Sequence, residues 1–138
     1  MSSTKHKIKI IGRREIINFP LLNLFNIEAK IDTGAYTSSI HCKTITLINQ
    51  QLEVVFDYND KHTFSEFTRK KIKNSFGEME ERYVIKTIIQ IARKKIHTTI
   101  SLSDRANMRY PVLIGRRLLK NKFIVDVNKI YTNGIVIH

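Results

Sequence analysis

From Tyr83 to Leu102 the chain repeats with a period of two, and this alternation narrows the folds open to it. Tyr83, Ile85, Thr87, Ile89 and Ile91 fall on one face of an extended segment, with Val84 and Ile88 on the other. Apolar residues on both faces predict a strand partly buried on both sides. A basic turn follows, Ala92 to Lys95. Then Ile96, Thr98, Ile100 and Leu102 alternate with His97, Thr99 and Ser101. Two alternating runs about a short turn predict a β-hairpin.

The rest of the chain repeats this grammar in shorter pieces. Lys7-Ile8-Lys9-Ile10 alternates until Gly12 ends the run. Leu21 to Asn26 reads as a turn into a strand at Ile27–Ile31. Val112-Leu113-Ile114 is short and wholly apolar, as a buried strand is, and Gly115 ends it. Arg116 to Asn121 suits a short helix with Leu118 and Leu119 inward. Phe123, Val125 and Val127 alternate again. Asn133-Gly134 is the strongest hairpin-turn signal, because both residues tolerate positive φ. Ile135-Val136-Ile137 is then a closing strand. Between Cys42 and Lys73, charges and aromatics mix without a clean period. The fold class expected is mainly β: a closed or partly closed β-barrel with one short helix near Arg116.

The 138 residues show no linker, repeat or low-complexity segment, so residues 1–138 are expected to form a single domain. Hydrophobic residues make up 42%, enough for a core without disulfides, and the lone Cys42 allows no intrachain disulfide. Met1 to Lys9 has no apolar stretch suited to a signal peptide, and no run approaches the roughly 18 apolar residues that span a bilayer. The expected setting is cytoplasmic, away from membranes. Lysine and arginine total 24 against 12 acidic residues, a formal net charge of +12. That balance attracts nucleic acid, anionic membrane or acidic substrate without choosing among them, and also fits a merely solvated surface.

Asp32-Thr33-Gly34-Ala35 directly follows the Ile27–Ile31 strand. Gly34 gives the turn freedom in φ and room for close backbone approach. Taken alone, the motif leaves two readings open. Asp32 can bond the turn backbone, or it can present a carboxylate for chemistry. The chemical reading needs two carboxylates sharing one proton, since like charges that close cannot both ionise. The chain has one Asp-Thr-Gly, so that reading places the second carboxylate on a second copy. Asp104 and Asp126 are the in-chain alternatives. Asp104-Arg105 reads as a local ion pair, and Asp126 as lying on the outer side of a strand.

Four segments occur together: Lys30 to His41, Asn74-Ser75-Phe76-Gly77 with Glu80 and Arg82, Ser101 to Arg105 with Met108, and Tyr110 to Arg116. Together they resemble a bacterial family of retropepsin-like aspartic peptidases often labelled "ATP-dependent zinc protease". The resemblance spans roughly residues 10 to 130. It implies a retropepsin-like β-barrel acting as a homodimer on a peptide or protein substrate, with Asp32 as catalytic carboxylate. It also implies that Thr33 locks the two active-site loops together through its hydroxyl. Gly34, Ala35, Ile114 and Gly115 would support the loops. Residues 73 to 82 would be a flap over substrate, with Asn74, Ser75, Phe76, Gly77 and Arg82 contacting it, and Arg109 and Arg116 lining the site.

Two departures from the viral pattern bear on the dimer and the flap. Viral retropepsins carry an aspartate where this chain has Tyr36, so Arg116 lacks its usual partner and is left to meet substrate or Glu80. The flap has one glycine, Gly77, where viral flaps have several. A monomer would need Asp104 or a metal to complete the site. Members of the wider family are linked to ATP-grasp ligases that add glutamates to proteins, which suggests acidic, glutamate-rich peptides as substrates.

The motifs support neither cofactor in the family's label. No two glycines have P-loop spacing for ATP, and no histidine is followed by glutamate as a His-Glu-x-x-His zinc site requires. His41-Cys42 is the one adjacent pair of soft ligands, which is too few for a metal site. His41 reads as a hydrogen-bonding residue near the active-site loop. Three basic clusters remain: Arg69-Lys70-Lys71 with Lys73, Arg93-Lys94-Lys95, and Arg116-Arg117 with Lys120 and Lys122. The second reads as a solvated hairpin tip. Interleaved with Tyr36, Phe64, Phe67 and Phe76, they allow a stacking platform for nucleic acid, although those aromatics read more simply as core. The alternative function is thus a non-catalytic basic barrel that binds nucleic acid or an acidic protein partner.

Overall fold

The computed structural model describes residues 7–56, 60–73, 76–104 and 108–137. A 13-residue strand, β9 (Met79–Ile91), and its partner β10 (Lys94–Ser103) form the predicted hairpin. The turn is tighter than the four residues expected. Ala92 and Arg93 alone make it, with φ of 52° and 67°. Two left-handed residues match the twist of the flanking strands, so Lys94 and Lys95 already belong to β10.

Five further strands complete the main sheet: β2 (Arg14–Phe19), β3 (Leu24–Ile31), β4 (Ser39–His41), β8 (Thr68–Lys73) and β11 (Val112–Ile114). Their order is β10-β4-β11-β3-β2-β9-β8. Because β9 also pairs with β10, the first six close into a ring, with β8 outside it. The seam between β2 and β9 is one residue pair, Asn18 with Gln90. The ring encloses the core, in which Ile17, Phe19, Ala29, Ile89, Ile91, Val112 and Ile114 are fully buried. This is the mainly β barrel expected, closed through a thin seam.

Strand β3 begins three residues before the Ile27 start read from the pattern. Pro20–Leu22 forms a single 3-10 turn, and Asn23 leaves it in the left-handed conformation. Asn26 is also left-handed, with φ 59°, and its amide donates to the Asn18 side chain at 2.8 Å. That irregularity breaks the alternation and hides the start of the strand.

The segment without a clean period forms an antiparallel meander: β5 (Thr44–Ile48), β6 (Gln51–Val55) and β7 (Lys61–Phe64). Leu52, Val54 and Phe56 are its buried row. Cationic β8 then pairs along β9 from Thr68–Val84 to Lys73–Met79.

A third sheet has the order β12-β1-β13, formed by β12 (Phe123–Asp126), β1 (Lys9–Gly12) and β13 (Ile135–Val136). Strand β1 runs parallel to β12 and antiparallel to β13. Asn133 and Gly134 do have positive φ, 56° and 83°. They do not make a hairpin, however, because β13 pairs with β1 and not with β12. The cause is Glu15, which is buried. Its carboxylate accepts hydrogen bonds from the amides of Gly12, Thr132 and Asn133 and from the Thr132 hydroxyl, at 2.7 to 3.1 Å. These bonds hold the 132–133 backbone beside β1. The helix α1 spans Arg116–Leu119, shorter than Arg116–Asn121, with Leu118 and Leu119 buried as expected.

Candidate active site

Asp32 leaves the end of β3, beside β11. Parallel pairing of Ile31 with Ile114 sets the two strand ends level, and the Asp32 amide donates to the Ile114 carbonyl at 2.8 Å. The chain then turns sharply, with the Ala35 amide on the Asp32 carbonyl at 3.1 Å and the Gly34 amide on Asp32 Oδ1 at 3.2 Å. The turn bond that a structural aspartate makes is therefore present. It uses one carboxylate oxygen; among the described residues Oδ2 takes no hydrogen bond. Gly34 is not in the left-handed region, contrary to the reason the sequence offered for it. A Cβ there would meet Asp32 Oδ1 at 3.4 Å, so glycine keeps the space beside the carboxylate clear.

The loop after Asp32 is stitched to the segment after β11. The amides of Arg116 and Arg117 donate to the carbonyls of Ala35 and Tyr36 at 2.8 and 3.0 Å. The Gly115 amide donates to the Ser38 hydroxyl oxygen at 3.0 Å, and the Ser101 amide and hydroxyl both bond the Ser38 carbonyl. A Cβ on Gly115 would stand 2.5 Å from the Thr37 carbonyl oxygen, so only glycine allows the two loops this approach. Ser38 is the supporting residue that sequence reasoning missed. Its signal was a polar side chain in a Thr-Ser-Ser run between a loop and a buried strand.

Arg116 has found a partner other than those expected. Its guanidinium lies over the Tyr36 ring, 5.5 Å from the centroid. Nη1 also reaches the carbonyls of Gly34 at 3.2 Å and Thr33 at 3.4 Å. A cation–π contact and two turn carbonyls take the place of the viral aspartate. Glu80 is held by Arg82 instead, with Arg82 Nη2 at 2.5 Å and Nε at 2.6 Å from Oε1.

Asp32 opens on a cleft of about 320 Å³ lined by Lys30, Met108, Arg109, Tyr110 and Leu113. Asp32 is the sole carboxylate among the described residues lining it. Asp104 lines a separate cleft of about 210 Å³ with Glu80 and Arg82. Asp126 Oδ1 accepts from the Asn128 amide at 2.9 Å, a turn bond at the end of β12. Neither in-chain alternative joins Asp32. Thr33 is exposed and lines a third cleft with Tyr36 and Arg116.

The expected flap is the β8–β9 hairpin. Gly77 has φ 82°, and Phe76 is 84% exposed beside it. Asn74 and Ser75 lie outside the described residues, as does Arg105 with its expected ion pair. His41 is tied in by its amide, which donates to the Pro111 carbonyl at 2.8 Å. Cys42 is buried, with Sγ 3.6 Å from the Ile40 carbonyl. No group of three or more His, Cys, Asp and Glu side chains that could hold a metal occurs among the described residues.

The basic clusters separate. Residues 69–71 and Lys73 are exposed along β8, with Arg69 paired to Glu81 and packed on the Tyr83 ring. Lys94 is not the solvated tip residue expected. It lies 5.4 Å from the Phe123 ring centroid, its ammonium reaches the Lys7 carbonyl, and burial followed by the charges of Lys9 and Lys122 lowers its pKa. Phe64 and Phe67 pack on the core, whereas Tyr36 and Phe76 are exposed. No helix among the described residues is long and apolar enough to cross a membrane.

A barrel with an Asp-Thr-Gly turn locked to an Ile-Gly-Arg turn is the frame of a retropepsin-like protein. The chain belongs to the RimB-like family, described as retropepsin-like aspartic endopeptidases, whose model matches residues 10–134. A solved Legionella pneumophila protein of unknown function, Lpg0085, superposes with a TM-score of 0.72 at 27% identity, over 90% of this chain and 97% of that one. A "probable alpha-L-glutamate ligase" of Shewanella halifaxensis is 34% identical over 136 residues, 91% of this chain and 30% of the relative. One of the same name from Desulfotalea psychrophila is 35% identical over 129 residues, 86% of this chain and 28% of the relative. The chain thus spans under a third of the length of these curated relatives.

Proposed function

We propose that the protein is an aspartic endopeptidase in which two copies each contribute Asp32 to one dyad. The observation that carries this reading is the Asp32 carboxylate, with Oδ2 unengaged, in a loop fixed against Gly115 and Arg116 inside a retropepsin-like barrel. Among the described residues no second carboxylate lines its cleft, so in this reading each copy contributes one. In the paired site one Asp32 is ionised and takes a proton from water as the water oxygen attacks the peptide carbonyl carbon. The other Asp32 gives its proton to the carbonyl oxygen. When the tetrahedral intermediate collapses, the C–N bond breaks and the departing nitrogen takes a proton from the dyad. In this reading the exposed Thr33 bonds across the two loops through its hydroxyl, and Gly34, Ala35, Ile114 and Gly115 hold the turn.

Acidic, glutamate-rich peptides are the substrate class this reading favours. Of the three arginines expected at the site, Arg82 is paired with Glu80 and Arg116 is packed on Tyr36. Arg109 lines the Asp32 cleft together with Lys30. The net charge of +12 and the ligase names of the relatives agree with an acidic substrate. The test is mass spectrometry of a mixed peptide library incubated with wild type and with Asp32→Asn, with a chelator present. Cuts made by wild type alone, faster on glutamate-rich than on neutral peptides at low salt, are expected. No cuts by wild type, with salt-sensitive binding of nucleic acid or an acidic protein, would favour the non-catalytic module instead.

A further inference from the structure

Strand β10 has neighbours of unequal length. It pairs with β9 from Lys94 to Ser101 but with β4 only from Ser101 to Ser103. From Lys94 to Ile100 its outer side has no strand partner among the described residues. The phase of the ladder shows which groups this leaves open. The two-residue turn makes Ile91 and Lys94 a hydrogen-bonded pair, so Ile96, Thr98 and Ile100 bond toward β9. The amides and carbonyls of Lys95, His97 and Thr99 then face outward. Ser101 fixes the phase, since its amide donates outward to the Ser38 carbonyl at 3.0 Å. Within this open stretch the Thr98 hydroxyl donates to the Thr99 carbonyl, a long contact at 3.4 Å.

That edge opens into a cleft of about 440 Å³. Four consecutive residues of β10, Ile96 to Thr99, form one wall. Leu21, Leu118, Arg117 and Lys122 contribute to the rest, and Lys86 stands opposite Thr99 on β9. The cationic side chains are Lys86, Arg117 and Lys122. Among the described residues that line the cleft there is no carboxylate, and the one ring is the His97 imidazole. It shares no lining residue with the Asp32 cleft.

We propose that the free edge of β10 at His97 and Thr99 docks an extended acidic peptide segment as an added strand, with Lys86, Arg117 and Lys122 meeting its carboxylates. The main-chain edge supplies hydrogen bonds that an extended backbone alone can use, and the flanking cations select for negative side chains. Single-stranded nucleic acid is the poorer fit, because a sugar-phosphate backbone has no amides and carbonyls to pair with a strand edge. This docking surface stands on the strand edge and the charge around it, and does not depend on the peptidase reading.

The experiment uses the full chain carrying Asp32→Asn, so that no probe is consumed. Fluorescence anisotropy at low salt follows a labelled peptide of alternating glutamate and valine. A second probe has the same sequence with its amides N-methylated along one edge, which keeps the charge and removes the strand bonds. The unmodified peptide is expected to bind about tenfold or more tightly than the methylated one, and Lys86→Glu with Lys122→Glu is expected to weaken it by about as much. Hydrogen exchange should slow at the amides of His97 and Thr99 when the unmodified peptide is added, and not when the methylated one is. Equal binding of both probes, or unchanged exchange at His97 and Thr99, would overturn the proposal. So would loss of binding on Arg109→Ala with none on the Lys86 and Lys122 changes, a result that places the peptide in the Asp32 cleft and leaves the peptidase reading standing.

Discussion

Glu15 is the single residue on which the closing of the chain most depends. Its buried carboxylate gathers three backbone amides and one hydroxyl, and so joins β1, β2 and the 132–133 backbone. Hydrogen bonds to a charged group are worth more than neutral ones, and buried donors left without an acceptor are costly. Glu15→Gln turns one acceptor into a donor among donors. It should therefore cost about 2–3 kcal/mol of unfolding free energy, read by urea denaturation, with β13 loosened first in hydrogen exchange. Nothing local signals this, because a glutamate in an Arg-Glu-Ile run has the same pattern whether its side of the strand is buried or exposed. Asp32, by contrast, was legible as a candidate, since the motif and its neighbours name the position whatever the local packing. The partner of Arg116 was not legible: a tyrosine in place of an aspartate removes an ion pair on paper, and only the fold shows the ring lying beneath the guanidinium.

At the scale of elements, the long hairpin was readable from Tyr83 to Leu102, apart from the length of its turn, because its period persists for many residues. Thr87 is the one polar member of the inward row of β9, and its buried hydroxyl has no hydrogen-bond partner. Replacing it by an apolar group of the same shape removes an unpaid desolvation. Thr87→Val should thus raise stability by about 1 kcal/mol, seen as a higher thermal midpoint with an unchanged circular dichroism spectrum. A lower midpoint would mean that the hydroxyl has a partner, such as a bound water. The β5–β7 meander was harder to read because its buried row, Leu52, Val54 and Phe56, is short and set among charges. Asn133-Gly134 reported its own backbone correctly and its pairing wrongly. A turn signal fixes local φ, whereas the strand that pairs next is set by a distant group, here Glu15.

For the whole molecule, the barrel presents a single carboxylate at its Asp-Thr-Gly turn, and the chemistry proposed for it needs two. The closed ring could be anticipated from alternation and the short helix from Leu118 and Leu119 after Gly115, but the β12-β1-β13 sheet could not, because a parallel pairing between the two ends of a chain leaves no local mark. The central claim is that the site is completed by a second copy. The most direct measurement mixes wild type with Asp32→Asn in varying ratio, after dissociation and reassociation, and follows peptide cleavage at constant total protein. If both carboxylates are required and the copies pair at random, activity falls as the square of the wild-type fraction, to about one quarter in an equal mixture. Activity falling in direct proportion, to about one half, would show that each copy works alone and would contradict the shared dyad.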